Sequence, residues 1–134
     1  MELHLKLIGW LLVALSLVHI VFPKKFDWMN ELKSVSLMNR QLMYIHTFFI
    51  AFVVMLMGLL CITSANELMQ TALGKKISFG LWLFWTVRLL VQFFGYSSQL
   101  WKGKRFETIV HIVFSFLWVY LSVVFWVVYM ENRN

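Results

Sequence analysis

Four apolar runs, at about residues 5–22, 42–64, 77–96 and 106–130, occupy most of this 134-residue chain. At a rise of ~1.5 Å per residue the shortest reaches roughly 27 Å, enough to cross a hydrocarbon core of ~30 Å with little thinning. A core without water satisfies no backbone group from outside, so each run is expected as a helix. Composition agrees: 61% of the residues are hydrophobic, 18% aromatic and 13% charged, whereas a soluble domain carries about 25% charge. The expected fold is all-α, an integral membrane four-helix transmembrane bundle, with residues 1–134 as a single four-span domain. There is no internal repeat, low-complexity tract or linker to suggest further division.

The first run resembles a secretory signal only in being short and having Lys6 near its start. It lacks a small-residue cleavage site and carries His19. It also continues into Pro23-Lys24-Lys25, which reads as a helix stop with an interfacial anchor. The lone Cys61 lies inside the second run. It supplies neither a disulfide framework nor a cysteine metal motif, and reads as a small packed residue.

An even number of spans puts both termini on one side. Lys24, Lys25, Lys33, Arg40, Lys102, Lys104 and Arg105 fall in the loops of one face; Lys6, Lys75, Lys76 and Arg133 fall on the other, and Arg88 lies within the third span. The positive-inside rule then makes the first face cytoplasmic. The expected location is a bacterial plasma membrane with both termini outside the cytoplasm. The net charge of +6 reads as a topology signal and an attraction to anionic headgroups, not as a nucleic-acid footprint.

Residues 26–35 place Trp28, Leu32 and Val35 on one helical face and Asn30, Lys33 and Ser34 on another, the pattern of a short interfacial helix between spans one and two. Residues 66–73 suggest one or two helical turns stopped by Gly74, with Lys75 and Lys76 anchoring the next span. Gly9, Gly58, Gly80 and Gly95 are positions where helices can approach closely.

Depth and face single out a candidate site. Counted from the span ends, His19, His46, Gln92 and His111 all lie about 5 to 9 Å inside the same boundary. Arg88, Gln92, Tyr96 and Gln99 form one stripe on the third span. Thr108, His111, Ser115, Trp118 and Ser122 form another on the fourth, and Ser16 and His19 share a face of the first. Lipid offers these groups no partner, so the stripes should turn inward. Each histidine alone reads as interhelical hydrogen-bond glue, worth about 1 kcal/mol per contact. Three at one depth, with a buried arginine and a glutamine, point to a functional cavity of His19, His46, Arg88, Gln92 and His111 opening toward the cytoplasm. Glu107 is too shallow to pair comfortably with Arg88, while Trp85, three residues earlier, suggests a cation–π partner. Most other tryptophans, Trp82, Trp101, Trp118 and Trp126, read as aromatic belt and packing.

Three imidazoles are a conceivable open metal site, with His19, His46 and His111 as ligands if haem or a metal is bound. No HxxxH or HxxE pair stands on any one run, however, and no inward carboxylate joins them. A nearby guanidinium favours an electron-rich oxygen or a negative group. The leading expectation is therefore haem b or a quinone, bound for membrane electron transfer. Two alternatives stand beside it. One is a membrane enzyme acting on a lipid or isoprenoid, in which His46 or His111 moves a proton while Arg88 and Gln92 stabilise an oxyanion. The other is an accessory or assembly subunit. The expected partners are the lipid bilayer and other membrane subunits or further copies of the chain. A channel or transporter is disfavoured, since four short spans without a repeat enclose little pore.

Overall fold

Each apolar run forms one long helix in the computed structural model, which describes residues 1–25, 27–95, 103 and 105–134. In chain order the helices are α1 (Glu2–Lys25), α2 (Trp28–Glu31), α3 (Leu37–Thr63), α4 (Ala65–Gln70), α5 (Ala72–Phe94) and α6 (Arg105–Glu131), with no strand among the described residues. The class is the expected all-α one. Four helices, α1, α3, α5 and α6, are long and apolar enough to cross a membrane. Only 22–33% of their most apolar windows is buried, and Phe48, Phe49, Ile50 and Phe116 remain exposed. A surface of that kind needs hydrocarbon as its solvent, the build of an integral membrane protein.

Caps explain why α3 and α5 start earlier than their apolar runs. Ser36 accepts the Asn39 N–H at 3.3 Å ahead of α3, and Thr71 accepts the Gly74 N–H at 2.9 Å ahead of α5. Each side chain satisfies one of the orphan donors of a first turn. Gly74 is therefore not the helix stop expected of it. It lies inside α5, and it is glycine because a Cβ there would meet the Glu67 carbonyl and fall 2.6 Å from the Leu68 Cα. Pro23 likewise fails to end α1, which continues to Lys25. So close to the terminus, the bond that proline removes belongs only to the final turn.

The chain divides into two compact units, Leu3–Ala65 and Met1–Glu2 with Asn66–Asn134. In the first, α1 meets α3 at Gly9 and Gly58: a Cβ on Gly58 would stand 2.7 Å from the Gly9 carbonyl oxygen, and one on Gly9 2.7 Å from that of Gly58. Close approach at small residues suits a solvent that gives helices no hydrophobic reason to associate. Gly80 and Gly95 do not repeat this role. A Cβ on Gly80 would meet nothing within 4 Å, and Gly95 faces Val91 of its own helix. Cys61 is fully buried, as a packed small residue should be.

The short helix expected between spans one and two is present but only four residues long. Asp27 precedes it in the left-handed region, at φ 52°, with its carboxylate accepting from Asn30 Nδ2 at 2.9 and 3.1 Å. Aspartate tolerates that conformation because its short side chain bonds locally. The expected faces survive: Trp28 is buried, edge-on to Tyr44 with ring centroids 5.4 Å apart, while Asn30, Lys33 and Ser34 are exposed.

In the second unit α5 and α6 run antiparallel, with Gln92 reaching His111 near one end and Phe79 against Tyr129 near the other. Asn132 locks α6 to the α4–α5 junction. It is 1% exposed and donates through Nδ2 to the carbonyls of Leu68 at 3.0 Å and Thr71 at 2.8 Å. Asn134 Nδ2 donates to Gln70 O beside it. Carbonyls left over where α4 ends thus find side-chain donors.

Candidate functional site

Arg88, Gln92 and His111 form a polar relay inside the α5–α6 unit. The first two stand one turn apart on α5, so their side chains meet along the helix. Arg88 Nη1 donates to Gln92 Oε1 at 3.3 Å. That bond orients the amide, whose Nε2 then donates to His111 Nδ1 at 2.9 Å and lies 3.5 Å from the His111 carbonyl oxygen. With Nδ1 accepting, a neutral His111 ring carries its proton on Nε2. Gln92 is only 6% exposed, so both ends of its amide are used where water is scarce. Ser115 completes the local set by donating to the His111 carbonyl at 2.7 Å.

The arginine's platform is Trp118. Its guanidinium carbon stands 5.0 Å from that ring. Trp85, the partner the sequence suggested, instead stacks on Trp118 at 5.1 Å and 13°; Phe114 stacks on the same ring at 5.6 Å. The guanidinium thus lies against the face of a desolvated aromatic stack, where a cation–π contact is worth about 2 kcal/mol. Trp118 was legible as a member of the fourth-span stripe, seven residues and two turns from His111, and as a belt or packing tryptophan. Its role needed the identity of the facing helix.

Beside this relay is a groove of about 300 Å³ lined by Phe93, His111, Ile112, Ser115, Phe116 and Val119. Its walls are almost wholly apolar. Phe93 stands edge-on to the His111 ring, 6.0 Å between centroids. Of the six lining residues only His111 and Ser115 have polar side chains, and Ser115 turns its hydroxyl to the backbone. His111 is six residues into α6, which puts it about 9 Å from that helix's start. Ile112, Phe116 and Val119 carried no sequence signal, because apolar residues on an apolar span look alike whichever way they face.

His19 and His46 belong to the other unit. There His19 Nδ1 lies 2.9 Å from the Leu15 carbonyl, a bond along its own helix, and His46 is exposed on α3. The structure therefore brings together Arg88, Gln92 and His111, and describes His19 and His46 in the α1–α3 unit. Among the described residues no group of three or more histidine, cysteine, aspartate or glutamate side chains is disposed to hold a metal ion. A three-imidazole ion centre gains no support from this arrangement. Tyr96 and Gln99, expected to extend the Arg88–Gln92 stripe, and Trp101, Lys102 and Lys104 lie outside the described residues. Comparisons with protein-family models, curated proteins and solved structures return no match.

Proposed function

We propose that the α5–α6 unit binds a quinone-class molecule from the membrane and serves in electron transfer. The observation that carries the reading is a histidine held in one tautomer by a buried glutamine at the wall of an apolar groove. Apolar rings seat the ligand's ring and tail, and the imidazole meets an electron-rich carbonyl oxygen. Gln92 keeps the imidazole oriented, and Arg88 behind it supplies a fixed positive charge that favours electron density at that oxygen. Solvent extraction of the detergent-purified protein, followed by mass spectrometry, tests this. A stoichiometric quinone in the native protein, lost in His111→Ala and reduced in Gln92→Leu, is the expected result. No quinone, or an equal content in all three, would defeat the proposal.

A second reading, haem b at the α1–α3 unit, draws on His19. Its Nδ1–H donates to the Leu15 carbonyl at 2.9 Å, the kind of backbone bond that orients a ligating imidazole. An absorption spectrum before and after dithionite addresses it directly. A Soret band with a sharp reduced α-band, abolished by His19→Ala or His46→Ala, would favour haem, and a colourless protein would remove it.

A further inference from the structure

At the opposite end of the α5–α6 pair a second cleft, of about 370 Å³, is lined by Ala72, Lys75, Lys76, Phe79, Tyr129 and Asn134. Lys75 and Lys76 lie in the first turns of α5, and Tyr129 in the last turn of α6. Both helices are of membrane-crossing length, so their ends fall at headgroup level. None of the six lining side chains is acidic. The Lys75 ammonium sits 5.3 Å from the centre of the Tyr129 ring, which fixes one positive charge at the cleft wall. The start of a 23-residue helix adds its positive dipole end on the same side.

Below the lysines the wall is aromatic. Phe79 contacts Tyr129 at 5.3 Å and Trp82 at 5.5 Å, and Trp126 joins Trp82 at 4.9 Å and Tyr129 at 5.6 Å. Phe79 is 41% exposed and Trp126 40%, so these rings present an apolar surface leading down from the charged mouth. We propose that this cleft binds an anionic phospholipid, with Lys75 and Lys76 holding the phosphate and the four-ring cluster holding the first part of an acyl chain. A free phosphate would use the charges but leave the rings idle. A choline headgroup would bring a cation toward two ammoniums.

Native mass spectrometry of the full chain in detergent, titrated with phosphatidylglycerol or phosphatidylcholine, tests the assignment. One phosphatidylglycerol should bind in preference to phosphatidylcholine. The double variant Lys75→Gln/Lys76→Gln should weaken that binding roughly thirtyfold, since each of the two juxtamembrane lysines is worth about 1 kcal/mol toward anionic lipid. Tyr129→Leu should weaken it several-fold with the charges intact, and Lys24→Gln/Lys33→Gln should leave it unchanged. Equal binding of the two lipids, an equal loss in the Lys24/Lys33 variant, or displacement of the lipid by inorganic phosphate at matched concentration would overturn the proposal. Circular dichroism confirms that the variants are folded. If the double variant is not, Lys75→Gln and Tyr129→Leu carry the test.

Discussion

Where α1 crosses α3, two glycines let backbone meet backbone, whereas α5 and α6 face each other across stacked indoles and a line of hydrogen bonds. In hydrocarbon neither pair gains from burying apolar surface, because lipid is as apolar as the partner helix. What remains is tight van der Waals contact or polar contact, and the two units divide these between them. The difference bears on chemistry. At the glycine contact itself no ligand fits between the backbones, while a ring-spaced, polar pair leaves grooves beside it, and both clefts described above lie on α5–α6.

The comparison breaks most visibly at the glycines. Gly58→Leu should cost about 3 kcal/mol or more, since its Cβ alone falls 2.7 Å from the Gly9 carbonyl and 3.0 Å from Val13, and overpacking a close contact costs that much when the obstacle is backbone. Reversible unfolding in mixed micelles would read it; a loss under 1 kcal/mol would mean the crossing is looser than the geometry states. In the other unit, Trp118→Leu should cost about 2 kcal/mol by removing both the Trp85 stack and the Arg88 platform. It should also change the fluorescence of the remaining tryptophans, and an unchanged spectrum would argue against the Trp85 stack.

Asn132→Ala sharpens the picture at the membrane edge. Its two hydrogen bonds to the α4–α5 junction should be worth about 1 kcal/mol, because carbonyls near the interface regain water when the donor is lost. Faster backbone hydrogen exchange in α4 would mark the loss, and unaltered exchange would show that the lock is not needed. Smallest of all, Gly80→Ala should change stability by no more than about 0.5 kcal/mol, the added methyl meeting nothing within 4 Å and favouring helix. A large destabilisation there would reveal a contact made by Gly80 that the α5–α6 pair does not show.

Much of this was readable along the chain. The apolar runs predicted the four long helices to within about five residues at each end, and the largest errors, at the starts of α3 and α5, came from caps. Ser36 and Thr71 extend α3 and α5 outward because a side-chain oxygen, not hydrophobicity, decides where a helix begins. Arg88 and Gln92 were legible as neighbours because four residues return nearly to the same face. Their contact with His111 followed only as an inward-facing tendency.

Local order follows from residues close together along the chain: which segments are helical, which residues share a stripe, and that the stripes need partners where water is absent. Tertiary structure alone decided that Gln92 reaches His111, that Arg88 rests on Trp118 instead of Trp85, that Gly58 and not Gly80 marks a crossing, and that Asn132 caps a distant turn. The physical reason is range. Helical periodicity and capping are settled within one or two turns of chain, but the pairing of faces depends on side-chain shape and donor geometry across residues far apart in sequence, and many apolar faces are interchangeable until they are packed.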